Sequence, residues 1–108
     1  MTIERGMTQD FRITLRGVDL SEASVYVTFK QGNLTLTKHE TISVSYEDRK
    51  STILVSLSQE ETLAFREGQK GECQLRWRYG NGTTGKSVIK PFDVGRVLYE
   101  AVLSGEEI

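Results

Sequence analysis

Gly71-Glu72-Cys73-Gln74-Leu75-Arg76-Trp77-Arg78-Tyr79, followed by Gly80-Asn81-Gly82-Thr83-Thr84-Gly85-Lys86-Ser87, is the stretch on which the fold turns. In its first half the apolar Cys73, Leu75, Trp77 and Tyr79 alternate with Gln74, Arg76 and Arg78, the period of two that marks a strand with one dry and one wet face. Its second half matches the phosphate-loop pattern G-x-x-x-x-G-K-[ST] letter for letter. A phosphate loop needs a helix opening at the Lys and Ser, because the free N–H groups and the dipole of that helix end hold the phosphate. Here Val88, Ile89 and Pro91 follow, two β-branched residues and a proline that stop a helix after about one turn. The strand entering a phosphate loop is also buried on both faces and runs almost wholly apolar, whereas this one alternates. The chain after Ser87 is too short for further parallel strands and crossover helices. The same letters read more simply as a hairpin tip: Asn81-Gly82 favours a turn with positive φ, and Thr83 to Gly85 lengthen it.

The flanking sequence repeats the strand pattern. Phe11, Ile13 and Leu15 alternate within Asp10 to Arg16; Val25, Val27 and Phe29 alternate within Ser24 to Lys30, with Tyr26 and Thr28 outward. Between these two segments, Asp19 and Ser21 are placed to bond their own backbone and hold a turn. Gln31-Gly32-Asn33 is a tip, after which Leu34 to Thr37 resume the alternation and close a hairpin. Thr41 to Tyr46 and Thr52 to Leu57 form a second hairpin around the charged tip Glu47 to Ser51. Ser58-Gln59-Glu60-Glu61 is a capping box opening a short helical crossover, about residues 58–65, with Leu63 and Phe65 as its anchors. Ser87 to Phe92 continue as strand, with Pro91 at an edge or a strand end. Near the C-terminus, Val94, Val97, Leu98, Ala101 and Val102 recur at helical spacing, while Phe92 and Val94 also continue the strand. The helical reading, from about Gly95 to Leu103, is preferred.

The expectation is therefore one all-β domain over residues 1–108, with a lead-in arm at 1–8 and a frayed tail at 104–108. Six or seven short strands with no long helix between them pair antiparallel. Being dry on one side only, they close as a two-sheet β-sandwich of immunoglobulin-like size. The expected core is Phe11, Val25, Val27, Phe29, Ile42, Val44, Ile53, Val55, Leu57, Leu63, Phe65, Leu75, Trp77 and Val88, with Trp77 at its centre.

Composition narrows the function. The 108 residues carry 14 basic and 15 acidic side chains, a formal net charge of -1, which offers no electrostatic case for nucleic acid. No apolar run is long enough to span a membrane, and Met1 to Gly6 lack the apolar core of a signal peptide, so the chain is expected to be made and kept in a cytoplasm. The single cysteine, Cys73, lies on the dry face of its strand and reads as a packing thiol. His39, the single histidine, has no nucleophile or orienting acid near it in sequence and reads as a solvated loop residue. The adjacent carboxylates Glu47-Asp48, Glu60-Glu61 and Glu106-Glu107 lack metal-ligand spacing. Arg76 and Arg78 would form a basic stripe with Arg12 and Arg16 if their strands were neighbours, with Tyr26 as a stacking face. No catalytic, cofactor or metal site is expected.

Ile3-Glu4-Arg5-Gly6, the segment from Asp19-Leu20 to Val25-Tyr26-Val27-Thr28-Phe29-Lys30-Gln31-Gly32, Leu57 to Phe65 and Val94-Gly95-Arg96-Val97-Leu98 span nearly the whole chain. Together they resemble a family of short proteins from the virion-structure modules of tailed phages and prophages of Gram-positive bacteria, related in pattern to the N-terminal domain of the upper baseplate protein. The Gly80 to Gly85 tip departs from that pattern in being longer and richer in glycine. The resemblance implies a non-enzymatic virion or tail-associated module that docks onto other phage structural proteins, in symmetric copies within the assembled particle. The expected docking elements are a strand edge or the tips Gln31, Gly32, Asn33 and Asn81, Gly82, Thr83, Thr84, together with Tyr26. The other reading is a carbohydrate- or host-surface-binding sandwich, with Tyr26 or Tyr99 as a stacking platform.

Overall fold

Side chains that alternate in sequence alternate in burial: along Val25-Tyr26-Val27-Thr28-Phe29 the odd residues are buried and Tyr26 is exposed. The computed structural model describes residues 1–40 and 42–103. Its strands are β1 (Thr2–Glu4), β2 (Gln9–Arg16), β3 (Ser24–Gln31), β4 (Leu34–Lys38), β5 (Ile42–Glu47), β6 (Lys50–Leu57), β7 (Gly71–Arg78), β8 (Thr84–Lys86) and β9 (Lys90–Gly95), with one helix, α1 (Gln59–Leu63).

One sheet runs β1-β9-β7-β3-β4, with β8 also paired to β7; the other runs β2-β6-β5. This is an all-β, sandwich-like fold of two sheets. The hairpins β3–β4 and β5–β6 form as expected, and β7 meets β8 across the Gly80 to Thr83 tip.

Two strands exceed the six or seven expected, for identifiable reasons. The arm at 1–8 contains β1, which pairs in parallel with β9 through Thr2↔Asp93, Ile3↔Val94 and Glu4↔Gly95. Ile3 is fully buried, so the arm is part of the core. Three residues are too few to show a period of two, and a parallel partner some ninety positions away leaves no local signal. The last strand, expected from Ser87 to Phe92, begins only at Lys90 as β9, residues 87–89 bulge without strand, and Thr84–Lys86, expected in the tip and its flank, form β8.

All four phenylalanines of the sequence meet at the core's centre. Phe29 lies 5.8 Å from Phe11, 6.5 Å from Phe65 and 6.0 Å from Phe92, and Phe65 meets Phe92 edge to face at 5.5 Å and 90°. Tilted and edge-on pairs put the positive ring edge against a negative face, which adds to the area they bury. Trp77, expected at the centre, is half-buried toward one end, while Ile3, Leu20, Phe92 and Val94 join the core. Val88, expected inside, is 68% exposed. Ile42, Val44 and Leu63 are half-buried.

The crossover at 58–65 follows its sequence. Ser58 Oγ accepts from Glu61 N–H at 3.2 Å and Glu61 Oε1 accepts from Ser58 N–H at 2.9 Å, a complete capping box. Buried Thr62 donates its hydroxyl to the Met7 carbonyl at 2.9 Å and accepts from Gly6 N–H at 3.1 Å, tying the helix to the N-terminal arm.

The C-terminal helix expected from Gly95 to Leu103 does not form. The β9 ladder holds Val94 and Gly95, and residues 96–103 form no helix and return along α1. Gln59 clamps the Leu103 backbone, accepting from its N–H at 2.9 Å and donating to its carbonyl at 3.1 Å. Leu98 is 85% exposed and Tyr99 67%, so a helix here would have little more than Val97 packed, and a single short helix with so small a buried face is unstable. The expected frayed tail at 104–108, with Glu106 and Glu107, and the residue Thr41 lie outside the described residues.

Candidate functional site

Each letter of the phosphate-loop match has a structural occupation in a hairpin. Tyr79 N–H donates to the Thr83 carbonyl at 2.8 Å and Gly82 N–H to the Tyr79 carbonyl at 3.0 Å, while Asn81 Oδ1 accepts from Thr83 N–H at 2.9 Å. Gly82 takes a φ of 89°, open to glycine and strained for other residues. Gly85 pairs with Trp77, whose indole lies on it so closely that a Cβ would sit 2.5 Å from the ring. Lys86 stands exposed on a strand, with no helix beginning there. Ser87 N–H donates to the Leu75 carbonyl at 3.0 Å, its hydroxyl accepts from Leu75 N–H at 3.0 Å, and Gln74 Nε2 donates to its carbonyl at 3.0 Å. The serine side chain thus stands in for a ladder carbonyl, and the chain bulges outward at Val88 and Ile89, 68% and 54% exposed.

The residues expected to bind partners do not form one site. Gly32 and Asn33 cap the β3–β4 hairpin; Asn81, Gly82, Thr83 and Thr84 lie at the opposite end of the same sheet. An eight-residue strand, about 26 Å long, separates them. Gln31 is withdrawn from the tip altogether. It is 5% exposed, donates through Nε2 to the carbonyls of Arg66 at 2.9 Å and Gln69 at 2.7 Å, and accepts from Arg66 N–H at 2.7 Å. Its amide clamps the loop after α1 and is not free for a partner.

Tyr26 is exposed on the outer face of the larger sheet, as expected, with His39 against it at a centroid distance of 4.9 Å. His39 is exposed. Tyr26 stands opposite Arg76, and beyond Arg76 stands Lys86; Ser24, Arg78 and Thr84 form the next row. Arg12 and Arg16 lie on β2 of the other sheet, so the four-arginine stripe does not assemble. Lys86 takes the place of that pair. Tyr26, Thr28, Thr37, Arg76, Arg78 and Thr84 border a shallow depression.

Among the described residues, ion pairs join Arg5 to Glu100, Lys38 to Glu61, Lys70 to Asp93 and Arg96 to Glu67, and none includes Arg76, Arg78 or Lys86. No group of three or more His, Cys, Asp or Glu side chains among them converges as a metal site. Burial raises the Cys73 thiol to about 11, leaving it protonated and unreactive at neutral pH. Asp19 is held below its usual range by the hydroxyl and N–H of Ser21, the turn its sequence foretold. No helix of the described residues is long and apolar enough to cross a membrane.

No family model matches the chain, and comparisons with curated proteins and with solved structures find no match.

Of the exposed edge at β8 and the bulge, Thr84 was among the expected docking residues, whereas Lys86, Val88 and Ile89 were not. The signal lies in Val88-Ile89: two adjacent apolar residues cannot both face inward on a strand, and that break in alternation marks a bulge.

Proposed function

We propose that the chain is a non-enzymatic structural module that docks onto other proteins through an open strand edge, in the tail or baseplate of a phage or prophage particle. The observation that carries the docking is the free side of β8, where a strand with no outer neighbour among the described residues runs beside exposed Val88 and Ile89. Unpaired amide groups at such an edge recruit another chain, and adjacent apolar side chains gain by being covered. The setting is supported by the resemblance of the Ile3 to Gly6, Asp19 to Gly32, Leu57 to Phe65 and Val94 to Leu98 segments to phage structural proteins. In a particle the module would be present in symmetric copies after synthesis in the bacterial cytoplasm.

Particles released by prophage induction of the source strain and banded on a density gradient test the setting. The chain is expected in fixed ratio to the tail proteins, and complete particles that lack it would overturn the phage reading. The depression beside Tyr26 favours the second reading, a glycan-binding face, because an aromatic ring bordered by threonine hydroxyls and arginines suits a sugar. Glycan-array binding that disappears in Tyr26→Ala would establish it in place of the first.

A further inference from the structure

We infer that the β8 edge receives an extended polypeptide segment carrying carboxylates at alternate positions. The inference rests on the docking reading above and names the edge and the partner's chemistry.

The hydrogen bonds on either side of β8 fix which way its amides point. Tyr79 N–H reaches Thr83 and Ser87 N–H reaches Leu75, so the odd-numbered positions 83, 85 and 87 turn their backbone groups toward β7. In an antiparallel ladder the intervening residues turn theirs away. The N–H and C=O groups of Thr84 and Lys86 therefore face the free side, where no strand of the described residues lies.

Arg76 and Lys86 occupy a pair that exchanges no backbone hydrogen bonds, the geometry in which cross-strand side chains approach most closely. Two like charges placed directly opposite destabilise a sheet. Arg78 follows on the same face two residues on, and no carboxylate among the described residues pairs with any of the three. An arriving carboxylate would remove that repulsion.

The edge itself selects a peptide over a polyphosphate. Its groups alternate donor and acceptor in the rhythm of a strand, which a second peptide backbone satisfies, whereas phosphate oxygens would be set against the Thr84 and Lys86 carbonyls. In a strand so added, every second side chain lies on the face of Arg76, Arg78 and Lys86, hence the alternation of carboxylates.

The test is fluorescence anisotropy with a labelled peptide of about ten residues, the length of a long natural strand, alternating Glu with Val or Thr. Three comparison probes are the same peptide with Lys for Glu, the same peptide with N-methylated amides, and a single-stranded DNA of similar charge. The acidic peptide is expected to bind saturably and the other three at least tenfold more weakly. Arg76→Ala and Lys86→Ala should each weaken binding about two- to fivefold, the range of exposed charge pairs. The double variant Arg76→Glu with Lys86→Glu should prefer the Lys peptide. In the free protein, Arg76→Thr should raise Tm by about 2 °C, because it relieves the like-charge pair.

No binding at about 1 mM acidic peptide, the weak limit of specific association, would overturn the inference. So would equal binding of the N-methylated peptide, or tighter binding of the DNA. Either failure leaves the particle experiment unaffected: a chain found in particles but blind to acidic peptide retains its setting and loses this edge, and the converse result does the reverse.

Discussion

Gly71→Ala should destabilise this protein even though alanine is the better residue for a strand, and the reason lies in one ring. Gly71 pairs with Phe92 across β7 and β9, and a Cβ built there would lie 2.1 Å from Phe92 Cζ and 2.5 and 2.7 Å from its Cε atoms. The ring has nowhere to go. It is 1% exposed, set edge-on against Phe65 at 5.5 Å and against Phe29 at 6.0 Å. Overpacking a close-packed core costs about 1–3 kcal/mol, and replacing glycine returns about 0.5–1 kcal/mol of backbone entropy, so the net loss should be about 1–2 kcal/mol. At about 4–8 °C per kcal/mol for a domain near this size, Tm should fall by roughly 5–15 °C.

Urea denaturation read as a change in midpoint at constant m measures the loss. The decisive experiment repeats it in a Phe92→Leu background, where the ring atoms beneath the new methyl are gone. There Gly71→Ala should be neutral or slightly stabilising, a coupling of about 1–2 kcal/mol between the sites. Additivity within about 0.5 kcal/mol would refute the steric account, as would a fully tolerated Gly71→Ala in the wild-type chain.

Three further outcomes follow from other contacts. Burial, the largest single influence on Glu61, raises its carboxyl, but Lys38 Nζ at 2.8 and 2.9 Å and the Ser58 N–H together outweigh it and hold the group below 4.5. A carboxyl lowered on folding contributes stability above its unfolded value and loses it as pH falls through the folded one, so the Tm advantage of wild type over Glu61→Gln should be full near neutrality and vanish in acid, as a melting series between about pH 7 and 3 would show. Gln31→Ala should cost about 1–3 kcal/mol in urea midpoint by stripping partners from the Arg66 N–H and the Arg66 and Gln69 carbonyls, without altering peptide binding at β8. Cys73, buried with its thiol raised to about 11, should resist a disulfide reagent at pH 8 in the native state and react at once in urea; rapid native labelling would contradict its burial.

Much of this was legible because it is local. Alternation tells which side chains of a strand share a face, so Val25, Val27, Phe29, Ile53, Val55, Leu57 and Leu75 are buried as the pattern required. The capping box needs only Ser58 and Glu61, and it formed. Val88-Ile89-Lys90-Pro91 forbids a helix after Lys86 whatever surrounds it. The misreadings fall where local pattern and long-range packing part company. Helical spacing from Val94 to Val102 describes a face whose later residues, Leu98, Ala101 and Val102, have no cover, so β9 keeps its first residues and the rest runs on without helix. Gln31, placed in a polar tip by its neighbours, is instead drawn under a loop thirty-five residues on.

The amino-acid order by itself determined the dry and wet faces, the hairpin tips and the absence of a helix opening at Lys86, since side-chain direction and turn geometry depend on a few adjacent residues. Only the tertiary structure decided that Ile3 is core, that Phe11, Phe29, Phe65 and Phe92 meet, and that β8 keeps a free edge beside Arg76 and Lys86. Those outcomes depend on which strands lie side by side when two sheets close, and pairing between distant segments leaves no periodicity in either one.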